Sequence, residues 1–173
     1  MSALENTPTN PNFLSPLNFK FSIKRAPHIN FFIQRANIPS LTLPNIETPN
    51  PFVKIPQPGD HLEYGEFEIS FRVDENLQNY LEIHNWIRAL GKPKDFLEYK
   101  ALAQNPNYTG DGIKSDLSLM ILSSAKVPNY EITFIDAYPY ELSQLTFDST
   151  KSDVEYIEAT ATFKYVLFEI RNI

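Results

Sequence analysis

Apolar and polar residues alternate along much of the chain. Leu17, Phe19, Phe21 and Ile23 interleave with Asn18, Lys20, Ser22 and Lys24. A period of two places the sets on opposite faces of an extended chain, which predicts a half-buried strand. A turn at Ala26-Pro27-His28 leads into INFFIQRAN, residues 29–37, which reads as a second strand, so 17–37 is expected to be a hairpin. Phe67, Ile69, Phe71 and Val73 alternate with Glu66, Glu68, Ser70 and Arg72. Asp74, suited to capping a helix, follows. The period then lengthens: Leu77, Tyr80, Leu81, His84, Trp86, Ile87 and Leu90 recur at helical spacing as far as Gly91, predicting a helix over 75–90. Leu77, Tyr80, Leu81, Trp86, Ile87 and Leu90 are its expected packing residues. They span more than one narrow stripe, so the helix is expected to bury against its own domain and to offer a second side to a neighbour. A short helix is expected within 93–104, a loop over 105–114, and strands over 115–123, 130–137 and 154–169. In the last, Ile157, Ala159, Ala161, Phe163, Tyr165 and Leu167 form an expected core face, fed by a turn at DSTKSD, residues 148–153. Six or seven antiparallel strands with one inserted helix make a mainly β fold, an antiparallel barrel or sandwich.

Two stretches depart from this pattern. Residues 1–16 are rich in Asn, Thr and Pro and predict an arm, so the domain proper is expected to span 17–173. Residues 38–59 hold six prolines, from Pro39 to Pro58, which argues against regular structure through most of the segment. Yet Leu41, Leu43, Ile46, Phe52, Val53 and Ile55 need cover. The segment is expected either to cross over its own domain or to dock on a neighbouring subunit.

Composition narrows the function. The 173 residues are enough for one core that buries roughly 70% of the unfolded chain's surface. There are no cysteines, which excludes disulfides, thiolate metal sites and cysteine nucleophiles. Fifteen basic residues against 21 acidic ones give a net charge of −6, the wrong sign for wrapping nucleic acid. No apolar run is long enough to span a bilayer, and the N-terminus does not read as a secretory signal. His28, His61 and His84 lack metal-ligand spacing, Asp111-Gly112 lacks the oxygen spacing of an EF-hand, and no phosphate loop or nucleophile elbow is present. No catalytic constellation, metal or cofactor is expected, and no membrane partner.

Three stretches are specific in their order of elements: EFEISFRVDENLQNYLEIHNWI at 66–87, DAYPYELSQLTFDS at 136–149 and EATATFKYVLFEI at 158–170. With ANIPSLTLP at 36–44, they resemble the tail tube proteins of contractile-tailed bacteriophages, a family related to tube-initiator domains and to the type VI secretion tube subunit. The resemblance covers 17–173. It implies a virion protein of the tail, assembled in the bacterial cytoplasm. Its protomer would be a β-barrel, with six copies forming a ring and the rings stacking around a channel for DNA. Tail sheath, tape measure and baseplate proteins are the implied partners. The chain lacks the long extensions of initiators, which favours a repeating subunit. The alternatives are a non-repeating initiator, baseplate–tube junction or terminator and, from another class, an enzyme or a glycan-binding β-sandwich.

On this reading the polar faces of 63–73 and 154–169 are candidates for the channel wall: Glu66, Glu68, Ser70, Arg72, Glu158, Thr160, Thr162 and Lys164. Leu41, Leu43, Ile46, Phe52 and Ile55 are candidate inter-ring contacts, with residues 1–16 as a weaker one.

Overall fold

The computed structural model describes residues 12–91, 96–104, 113–150 and 156–173. Its elements run β1 (Phe19–Ile23), α1 (Ile29–Phe32), β2 (Ile33–Ala36), β3 (Leu41–Thr42), β4 (Asn45–Thr48), β5 (Ile55–Pro58), β6 (Glu63–Tyr64) and β7 (Phe67–Arg72). They continue with α2 (Gln78–Gly91), α3 (Leu97–Ala103), β8 (Ser115–Leu122), β9 (Pro128–Leu142), β10 (Glu158–Lys164) and β11 (Leu167–Asn172). Seven strands form the main antiparallel sheet in the order β1-β8-β9-β10-β7-β2, with β11 also paired to β9.

Strand β9 turns the corner of this sheet. Its first part pairs with β8 and β11, and its last part with β10. Between the register positions Ser115–Ala137 and Leu117–Phe134, β9 holds one residue more than β8. Asp136 lies in that interval with φ 57°, the left-handed conformation that a bulge uses to bend a strand. The two halves fold over one core. Phe67 of β7 lies 4.2 Å from Phe134 of β9 and 5.6 Å from Phe21 of β1, centroid to centroid. Ile23, Ile69, Phe71, Leu117, Ile132, Ala161 and Phe163 fill the rest, all fully buried. Helix α2 adds Ile83 and Trp86, and the Trp86 indole N–H donates to the Ile113 carbonyl at 2.8 Å.

Several sequence expectations need correction. Residues 29–37 are not one strand, and 17–37 is not a hairpin. Ile29–Phe32 form a single helical turn, β1 pairs with β8, and β2 pairs with β7. Asn30 explains the separation: its side chain accepts from the Ile23 N–H at 2.7 Å and donates to the Ile23 carbonyl at 3.1 Å. One amide thereby pairs both backbone groups of Ile23, the last residue of β1, as a neighbouring strand would.

Helix α2 begins at Gln78, not at residue 75, and Asp74 does not cap it. Buried Asn79 joins β7 to the helix instead, donating to the Arg72 carbonyl at 2.7 Å and accepting from the Asp74 N–H at 3.3 Å. Leu77 precedes the helix with φ 58°, and both Leu77 and Leu81 are exposed, so neither belongs to the buried face. Tyr80, Ile87 and Leu90 are half-buried against the core, and the buried helix residues are Asn79, Ile83, Trp86 and Ala89.

The long final strand is two strands. Its parity changes at Tyr165–Val166, so Leu167 leaves the core face and Phe168 packs against Phe134 at 5.9 Å. The loop expected over 105–114 falls largely outside the described residues, as do most of the arm over 1–16, residues 151–153 of the DSTKSD turn and the first two residues of the strand expected over 154–169.

The proline-rich stretch is not structureless. It forms a long hairpin in two short ladders, β3 with β6 and β4 with β5. Pro56 and Pro58 alternate along β5, opposite Glu47 and Asn45. A proline lacks the ladder donor, so this parity turns the missing N–H groups to the outer edge while Ile55 and Gln57 face the partner strand. Between the ladders, the Gly59 N–H donates to the Pro44 carbonyl at 2.7 Å. A Cβ at Gly59 would stand 2.5 Å from that same oxygen, so the crossing needs glycine there.

Candidate functional site

The described residues hold no site of reaction chemistry. No three His, Asp or Glu side chains gather among them in a way that could hold a metal. His28 pairs with Glu82 at 2.5 Å, His84 stacks on Tyr80 with centroids 6.5 Å apart, and His61 is exposed. No described helix is long and apolar enough to cross a membrane. What the molecule offers is surface, and two parts of it stand out.

The first is the hairpin of residues 41–64. It leaves the main sheet between Ala36 and Phe67, where Asn37 prolongs the β2–β7 ladder by bonding the Glu66 carbonyl and the Glu68 N–H at 3.2 and 2.7 Å. Every residue of β3, β4 and β5 is exposed. Leu41, Leu43, Ile46, Phe52, Val53 and Ile55 are all in solvent, and Phe52 at the tip is 95% accessible. Five or six large apolar side chains on one protrusion are rare on a monomer and common on a surface that another subunit covers.

The second is the polar face of β7 and β10. The two strands pair in register, so Glu68 stands opposite Thr162, Ser70 opposite Thr160 and Arg72 opposite Glu158. Lys164 closes the row with a 2.8 Å bond to Glu66. All eight residues named from parity thus share one face. The long β9 adds Tyr138 beside Lys164 and Glu141 beside Thr162, and β2 adds Arg35 beside Ser70. Sequence reasoning missed these three because cross-strand register is not local. Tyr140 completes the corner, with the Lys164 ammonium 5.2 Å from its ring centroid. The Lys164 and Tyr140 hydrogen bonds hold the Glu66 carboxyl below the usual range. The same bond to Glu66 pushes the Tyr140 phenol up to about 12. Ion pairs and hydroxyls satisfy one another across this wall, leaving no group primed to attack a substrate.

Comparison with known proteins decides the family. Residues 6–171 match the phage tail tube protein family, almost the whole chain. The protein is a member of that family. It is therefore a structural component of the virion, part of a phage tail, and not an enzyme. A tail tube terminator protein of Enterobacteria phage T4 is 26% identical over 170 residues, covering 93% of this chain and 90% of the relative. Among solved structures, the tube-terminating cap of the anti-feeding prophage superposes with a TM-score of 0.63 over 100% of both chains, at 14% identity. A chain of the sheath–tube complex of an extracellular contractile injection system gives 0.58 over 100% of this chain and 99% of that one, also at 14% identity. At such identity these two structures establish the fold alone: a mainly β, antiparallel tail tube fold with one substantial helix.

Proposed function

We propose that this tail tube family member is a tube terminator, the ring that closes the end of a tail tube, rather than a repeating subunit of that tube. One observation carries this reading: its end-to-end likeness to a relative named as a tail tube terminator. The fold alone does not choose, since chains of this fold occur in a tube-terminating cap and in a sheath–tube complex.

A terminator needs contacts between copies and with the tube, and no reaction. The exposed hairpin supplies apolar contact surface, with Leu41, Leu43, Ile46, Phe52 and Ile55 as its anchors. The ring is proposed to hold six copies. The β7–β10 face, with Glu66, Glu68, Ser70, Arg72, Glu158, Thr160, Thr162 and Lys164, is proposed to line its channel. Its carboxylates outnumber its cations, and repulsion of phosphate lets DNA slide rather than stick. The tube's last ring and the sheath are the proposed partners, with the tape measure inside the channel and the baseplate at the far end of the tail.

Negative-stain microscopy of the purified protein tests the reading. Isolated rings are expected. Long tubes grown from this chain alone would make it the repeating subunit.

A further inference from the structure

At the far end of the β2–β7 ladder from the hairpin lies an open groove of about 930 Å³. The ladder fixes this opposition. Ala36 and Phe67 lead into the hairpin, while the groove is built from Phe31 and Phe32 before β2 and from Arg72 to Asp74 at the end of β7. Its apolar wall includes Phe31, Leu77, Phe147 and Tyr156, all exposed, the two phenylalanines at 84% and 73%.

Two features mark the groove as unfinished. Leu77 holds a left-handed backbone at φ 58°, a strain that a β-turn leucine does not adopt freely. The Asp74 Oδ1 atom is buried and has no hydrogen-bond partner among the described residues. Glu75 adds a second carboxylate, and Arg72 is engaged over the Tyr156 ring at 4.5 Å.

The hairpin tip has the complementary chemistry. Phe52 and Val53 are its most exposed apolar pair, and Lys54, the one Lys or Arg between residues 38 and 64, follows directly. Lys54 is held by Glu47 in an exposed ion pair, weak enough to exchange for another carboxylate. Eight extended residues from Leu41 to Thr48 reach roughly 25 Å, which carries the tip away from its own groove.

We infer that the groove is the socket for the hairpin tip of a second copy of this chain, with Phe52 and Val53 against the aromatic wall and Lys54 beside Asp74 and Glu75. A plug at one end and a socket at the other make a heterologous contact, which generates a closed ring where the rotation closes and a filament where it does not. The inference rests on the reading that copies of this chain assemble, but not on the ring being terminal.

The cysteine-free chain allows a direct test. A Pro51→Cys, Asn76→Cys double variant, which flanks the tip and the groove and keeps Phe52 and the aromatic wall, is oxidised at assembly concentration and run on a non-reducing gel. A ladder of covalent multimers is expected, while either single variant stops at dimers. A control pairing Pro51→Cys with Ile173→Cys should give no such ladder. Absence of the ladder in the first pair, an equal ladder in the control, or a bond closed within one chain would each overturn the socket. Rings still visible in a ladder-free sample would leave the terminator reading standing, and a ladder on long tubes would support the socket while overturning the terminator.

Discussion

At the residue scale, Trp86 joins helix to core. It is 2% exposed, its ring lies 6.3 Å from Phe163, the Arg25 guanidinium stands 4.9 Å over it, and its N–H is spent on Ile113. Trp86→Ala should cost about 3–5 kcal/mol, read as a lowered urea midpoint by circular dichroism. A shift within error would mean that the indole is not packed. His28 makes a second prediction. The Glu82 hydrogen bond, with its charge, raises the His28 pKa above its ordinary value. A group whose pKa is higher in the folded state stabilises the fold most below its unfolded value, and that contribution fades as pH rises through the folded pKa. The thermal midpoint of the wild type should therefore exceed that of Glu82→Gln at about pH 6, and the gap should narrow towards about pH 9. A gap that widens with pH would contradict the assignment. Trp86 was legible as a helical core position from its spacing. Asn30 and Asn79 were not, because polar residues carry no period, and their partners, the backbones of Ile23 and Arg72, are fixed only by the fold.

At the element scale, strict alternation made β7, β8 and β10 readable, and the eight polar residues of the β7–β10 face followed from parity. Elements that break alternation were misread for physical reasons. INFF is too short and apolar for period to separate helix from strand. The bulge at Asp136 and the buried Pro139 interrupt β9, hiding its last residues. The prolines at 56 and 58 suggested a broken chain, but outward-facing positions of a two-stranded ladder tolerate them. They also serve a purpose there, since an edge without donors resists unwanted strand addition. The hairpin is already formed in the single chain, so the anchors proposed on it would lose little freedom on docking. Phe52→Ser with Ile55→Ser should leave the circular dichroism unchanged and abolish ring or tube formation in the microscope. Normal assembly of that double variant would refute the contact role, and loss of folding would show that the hairpin covers its own domain.

At the scale of the whole molecule, an acidic chain without cysteines, and with no metal-holding cluster among its described residues, fits the proposed role of a wall with a contact arm. In the proposed ring of six copies the net charge of −6 per chain is multiplied, and the proposed channel face carries part of it. A cysteine placed at Thr160 should react with a small maleimide in the assembled ring but slowly with one too bulky for the channel. Equal rates for both would put that face on the outside. The symmetry number and the place along the tube were never readable from the pattern of one chain, since rotation between copies is set by surfaces on different molecules. The central claim is position, that the protein sits once, at an end. Gold-labelled antibody against it on intact tails that contain it measures position directly. The account predicts label confined to one end of each tail, and label along the whole exposed tube would contradict it.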